Sequence, residues 1–157
     1  MTTGDLKSKD LLRHEEDLVL PKLTNETALV IGEIALNIGK DRKLPIAIEI
    51  RMGDWTVFKA ALPGSKPEND GWINRKARVV ALTHHSTLYE RVRAEELGID
   101  WHAEHNVKDE THAIHGGGFP LNSKEVGFQG ILLISGLPQI EDHNLATEIL
   151  KRYLAYF

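Results

Sequence analysis

A histidine followed by three glycines, His115-Gly116-Gly117-Gly118, is a first place where this chain could do chemistry. In lipases and esterases a loop of this kind aims backbone N–H groups at a tetrahedral oxyanion, but that reaction also needs a nucleophile elbow of the form Gly-x-Ser-x-Gly. None of Ser8, Ser65, Ser86, Ser123 or Ser135 stands in that frame, so serine hydrolysis is set aside. Glycines without β-carbons let the backbone pass close to another group, either a packed helix or a ligand. Spacing leaves both open.

Histidines recur nearby. His102, His105, His112 and His115 form two H-x-x-H pairs, a spacing that can hold one metal ion when both rings share a helix face. Residues 113–121 read as extended or glycine-bent, which turns His112 and His115 to opposite sides, and no glutamate stands where an H-E-x-x-H base would be. The imidazoles are read as surface groups in a polar loop, and no metal site is predicted. Trp72, Arg75 and Lys76 crowd one side of a helix, because positions three and four apart are neighbours there. They could form an anion clamp under an aromatic lid. Alternatively Trp72 packs inward and the cations pair across an oligomer contact. Asp142-His143 could be an acid–base pair, yet adjacent helical positions project roughly 100° apart, and an aspartate at a helix N-terminus is also explained by the dipole. No P-loop or dinucleotide fingerprint is present.

The elements that must position these groups are legible in the hydrophobic pattern. Residues 5–16 predict a short, partly exposed helix carrying Leu6, Leu11 and Leu12, and Pro21 stops any continuation of the apolar run at 18–20. Thr24 is the expected N-cap of a helix through about Gly39, with Ala28, Ile31, Gly32, Ala35 and Ile38 as its stripe and Gly39 as a left-handed C-cap. Ile46, Ile48 and Ile50 alternate with Ala47, Glu49 and Arg51 as a strand, which turns at Gly53-Asp54 into a return strand over 55–62. Helices follow over about 69–82, with Trp72 expected to be largely buried against a sheet, and over 87–97. Residues 99–112 are polar and carry no clear period. A second hairpin turns near Asn122-Ser123-Lys124 into a strand over 126–135, where residues 131–134 are apolar on both faces and therefore central, and a last helix spans about 141–153. Two hairpins separated by helices predict an antiparallel sheet with helices packed on it.

Composition bounds the function. The chain has 157 residues, 41% hydrophobic and 27% charged, an ordinary balance for a single globular domain. The absence of cysteine removes disulfides, thiolate metal sites and a cysteine nucleophile, and makes the cytoplasm the default setting. A net charge of −4 argues against a nucleic-acid partner, which needs a basic face. No apolar run reaches the ~18 residues of a membrane span.

Four ordered motifs carry a resemblance: Asn69-Asp70-Gly71-Trp72-Ile73-x-Arg75-Lys76, then His85-Ser86, then His115-Gly116-Gly117-x-Phe119-Pro120-Leu121, then Ser135-Gly136-Leu137-Pro138-Gln139 with Asp142-His143. Together they resemble one branch of the haem-degrading-domain superfamily, which includes GlcG-type proteins, HbpS-type haem-binding proteins and the C-terminal domain of PduO-type corrinoid adenosyltransferases. The resemblance runs from about residue 25 to the end. It implies a profilin-like α/β domain (α+β type) over residues 1–157, with an antiparallel sheet of about five strands flanked by helices and residues 1–24 as an N-terminal helical extension. It further implies a homo-oligomeric binding protein, with a pocket built from the Trp72 helix, the His115 loop and the start of the last helix. The ligand would be a haem-like or corrinoid tetrapyrrole or another small anionic molecule. Trp72, Gly116, Gly117 and Phe119 would shape the pocket, Arg75 and Lys76 would pair with carboxylates, and His85, His115 or His143 would ligate or hydrogen-bond. The alternatives are an assembly protein whose motifs are subunit contacts, and a small-metabolite enzyme using His115 or His143 as acid–base. The chain departs from the branch at His84, where a glycine is usual, and in residues 99–112, so His102 and His105 inherit no role.

Overall fold

The alternation at Ile46, Ile48 and Ile50 becomes the centre of the sheet. In the computed structural model, which describes residues 3–157, strands β1 (Ala47–Met52), β2 (Trp55–Ala61), β3 (Gly118–Ser123) and β4 (Gly127–Ser135) form one antiparallel sheet in the order β2-β1-β4-β3. The first two residues of the N-terminal extension lie outside the described residues. Strand β4 is central, as its two apolar faces require: Leu132 and Ile134 join the large core, whereas Ile131 and Leu133 join a smaller cluster on the opposite side. Four strands replace the five expected. Leu20 makes a single parallel bridge to Ser123, donating its N–H to the Asn122 carbonyl and accepting from the Lys124 N–H, without extending into a further strand.

Helices cover both faces of this sheet. Helix α2 (Asn25–Asp41) and helix α6 (Gln139–Leu154) enclose the large core, with Ala28, Ile31, Ala35, Leu145 and Ile149 facing Ile48, Ile50 and Leu132. Thr24 caps α2 in a capping box with Thr27. Gly39 lies within α2 rather than at its C-cap: the Leu62 side chain occupies the space beside it, and the chain turns left-handed at Lys43 instead. Helix α3 (Glu68–Thr83) covers the other face through Ile73, Ala77 and Val80, packed on Ala47, Ile131 and Leu133. Trp72, expected to be buried there, is only half-buried, because Ile73 and its helical neighbours hold the sheet-facing positions. Helix α3 ends at His84 in the left-handed region (φ 63°), where a glycine would be unstrained; stacking of the His84 ring on Phe128 at 4.1 Å accompanies that conformation.

Helix α4 (Thr87–Leu97), N-capped by Ser86, packs against α1 (Ser8–Asp17) through Leu88, Val92 and Leu11. The segment without clear periodicity contains a short helix, α5 (Trp101–His105), N-capped by Asp100. Its Trp101 is buried with Val79, Ala94 and Ile114 and donates its indole N–H to Glu90 at 2.8 Å. No helix among the described residues is long and apolar enough to cross a membrane.

Candidate functional site

The C-terminal edge of β4, the first turn of α6 and one side of α3 meet around a cleft of about 290 Å³. Trp72, Lys76, His115, Ser135, Gly136 and Asp142 are among its lining residues. The volume lies just below the ~300–1,000 Å³ typical of small-molecule pockets.

Lys76 and Asp142 anchor this cleft. Both side chains are almost fully enclosed, at 3% and 2% exposure, and Lys76 Nζ lies 3.3 Å from Asp142 Oδ2. Lys76 also donates to the Ile134 carbonyl at 2.9 Å, and Asp142 Oδ1 accepts the Leu137 backbone N–H at 3.0 Å. Burial disfavours both charged forms: it pushes the lysine amine down and the Asp142 carboxyl up to about 6, outweighing the attraction between them. His115 stands beside Trp72 edge to face, with ring centroids 4.9 Å apart. Burial, with the nearby Arg91 and Lys76 cations, holds its imidazole at about 4, so it is neutral at pH 7 and one ring nitrogen keeps a lone pair.

The three glycines face protein on every side. A β-carbon at Gly116 would meet the Gln139 carbonyl, one at Gly117 would meet the Ile134 carbonyl and lie 2.8 Å from Lys76 Nζ, and one at Gly118 would crowd Thr87 and Val80. Gly117 also has φ 127°, a conformation that side chains rarely adopt. The loop thus passes close to a helix, a strand and the buried amine, and it carries His115 to the rim.

Of the residues singled out in the sequence, Trp72, Lys76 and His115 converge on the cleft, with Gly116 and Gly117 behind them. Arg75 lies over the Trp72 ring at 4.5 Å and pairs with Asp109 at 3.1 Å. The other three lie elsewhere. His85 donates from Nδ1 to the Glu15 carboxylate at 2.8 Å, and its pKa is pushed up by that partner. His143 is buried at 1% exposure against His14 and Phe119, and Phe119 belongs to the large core. Asp142 and His143 do project apart, as their adjacency on one helix requires. Asn69, Ser135, Leu137 and Gln139 also line the cleft. All four fall inside the quoted motifs, but nothing in their spacing reveals that residues 66 apart, Lys76 and Asp142, form a buried pair. Among the described residues no three metal-ligating side chains cluster.

The family described as haem degrading protein HbpS-like matches residues 23–151. A UPF0303 protein of Streptomyces coelicolor is 37% identical over 145 residues, covering 92% of each chain, and one of Brucella anthropi is 35% identical over 147 residues, covering 92% of this chain and 85% of its own. Among solved structures, the Ybr137w protein superimposes with a TM-score of 0.88 at 27% identity, over 97% of this chain and 90% of its own. A PduOC:haem complex has a TM-score of 0.69 at 15% identity, over 82% and 93%, and a variant HbpS of Streptomyces reticuli 0.65 at 16%, over 83% and 86%, so these two share the fold. With its motifs, its four-stranded sheet and a match spanning most of its length, the chain belongs to the HbpS-like haem-degrading-protein family.

Proposed function

We propose that this chain is a binding protein of the cytosol that takes a small anionic ligand in the cleft between Trp72, His115 and the Lys76–Asp142 pair, and that it works as a homo-oligomer. The observation that carries the reading is the convergence on one cavity of an aromatic wall and a buried amine from α3 with a neutral imidazole from the glycine loop. The first turn of α6 borders the same space and brings the positive end of its dipole to it, which favours an anion. A whole tetrapyrrole, the ligand named in one of the similar folds, does not fit these residues within one chain. The cavity is about 290 Å³, and the two cations that would meet propionates, Arg75 and Lys76, are engaged by Asp109 and Asp142. Oligomerisation is supported by Trp55, which stands 64% exposed on the edge strand β2.

Calorimetric titration with small carboxylates and with haem tests this. Saturable binding of a carboxylate is expected, weakened at least tenfold in His115→Ala and Trp72→Ala with circular dichroism unchanged, and with no stoichiometric haem complex. Equal binding by wild type and both variants would remove the cleft as the site. Sedimentation should show a species larger than a monomer at micromolar concentration; a monomer at every concentration would remove the oligomer.

A further inference from the structure

Lys76 is held as no simple charge clamp would be. A clamp keeps its ammonium solvated and free to meet an anion, whereas this amine is enclosed on α3, fixed by the Ile134 carbonyl at 2.9 Å and set 3.3 Å from a carboxyl that is itself oriented by the Leu137 N–H. Both members of the pair still line the cleft. The absence of a β-carbon at Gly117 lets the amine and the Ile134 carbonyl sit against the loop backbone, since that atom would stand 2.8 Å from Nζ and meet the carbonyl oxygen. An amine in such surroundings is drawn toward its neutral form, which carries a nucleophilic lone pair, and a carboxyl beside it is a proton carrier.

We propose that Lys76 is a covalent anchor for a small carbonyl compound, an aldehyde, ketone or oxo acid, which it binds as an imine with Asp142 moving the protons. The proposal rests on the cleft being the ligand site and adds the chemical class of the ligand. The lysine lone pair forms a bond to the carbonyl carbon while the C=O π pair moves to oxygen, which takes the proton of Asp142. Asp142 then accepts a proton from the new ammonium and returns it to the hydroxyl, which leaves as water as the nitrogen lone pair closes the C=N bond. The product is a protonated imine beside the Asp142 carboxylate, an ion pair in place of the pair that was there. No oxidant or reductant is consumed.

Reductive trapping tests it on the intact protein at neutral pH. Pyruvate and propanal are each added with cyanoborohydride, and peptide mass spectrometry locates the reduced adduct, while calorimetry with lactate, of pyruvate's shape without its ketone, reports the cleft independently. Trapping at Lys76 should run on the order of 10²-fold faster than at the exposed Lys124 and Lys151, the gain expected from a positioned proton carrier, and Asp142→Asn should slow it by a similar factor. Lys76→Arg should give no adduct at that position. Adducts spread evenly over the surface lysines, or none at Lys76, while lactate still binds and Trp72→Ala abolishes that binding, would overturn the covalent anchor and leave the binding cleft standing. Failure of lactate, pyruvate and propanal alike to bind or react would overturn both.

Discussion

Asp142 and His143 are neighbours on the first turn of α6, both nearly fully enclosed, and they meet opposite fates. Asp142 turns to the cleft and finds a lysine at 3.3 Å; His143 turns to α1 and finds another histidine, with Nε2 3.3 Å from His14 Nδ1 and its own Nδ1 without a hydrogen-bond partner. Taking an ion out of water is costly unless a counter-charge repays it. On the cleft side two ionisable groups of opposite sign share the cost, so a proton remains exchangeable between them. On the α1 side there is no counter-charge, and burial drives His143 down to about 3, leaving a neutral ring that serves as packing. A buried titratable group is therefore a candidate for chemistry when its partner can take the proton it gives up, and depth alone does not make it one.

The largest expected effect comes from splitting the cleft pair. Lys76→Met leaves Asp142 buried without its cation and should cost about 3–5 kcal/mol in denaturant unfolding, while the double variant Lys76→Met/Asp142→Leu should cost less than the single one. A single variant as stable as wild type would mean that the pair contributes no buried charge. Acid titration sharpens the other half of the comparison. The folded-state value of His143, about 3, lies below its ordinary 6.5, so the unfolded chain takes the proton first and the contribution of His143 to stability is lost as pH falls below 6.5. Between pH 6.5 and 4 that loss is about 3 kcal/mol. Asp142 has the opposite sign: raised from 3.8 to about 6, its contribution is complete below 3.8 and is lost as pH rises through 6, so the two slopes partly cancel in the wild type. The stability of His143→Phe relative to wild type should therefore improve by about 3 kcal/mol on going from pH 6.5 to 4, and parallel pH profiles would refute a neutral buried imidazole.

A smaller loss, about 2 kcal/mol, is expected for Gly117→Ala, where the added methyl meets the Ile134 carbonyl and the lysine amine and φ is positive. Gly71→Ala, with open space at the same atom, should be neutral or slightly stabilising, and thermal melts of the two variants check both. Among the destabilising variants the smallest loss is that of Trp72→Ala. Loss of a fully buried tryptophan costs ~3–5 kcal/mol, and a half-buried one at the rim of a cleft should cost about 1–2 kcal/mol while removing ligand affinity. A loss as large as that of a core residue would place Trp72 in the fold and not in the site.

Local patterns foretold most of the elements. The period of two in residues 46–51, the N-cap at Thr24, the glycine turn at 53 and the doubly apolar run in β4 each depend on neighbours in the chain, and each appears where those patterns put it. Helix α5 was harder to read because Trp101 is held by Glu90 and Val79 from other helices, and a five-residue helix has too little periodicity of its own. Gly39 misled because a glycine near a helix end reads as a C-cap, whereas packing of Leu62 onto α2 keeps it helical.

Residue type and spacing by themselves determined the class of fold and the family motifs, and the resemblance those motifs carry named Trp72, Lys76 and His115 as candidates for one pocket. They could not separate the two readings of the glycine loop, nor tell an amine in solvent from one in the interior. Tertiary structure decided both. It laid Gly117 between the Ile134 carbonyl and the lysine, and it brought Asp142 across from another helix to within 3.3 Å of Nζ. The protonation state of a side chain is set by the water it loses and the partner it gains, and both are supplied by segments far away in the chain.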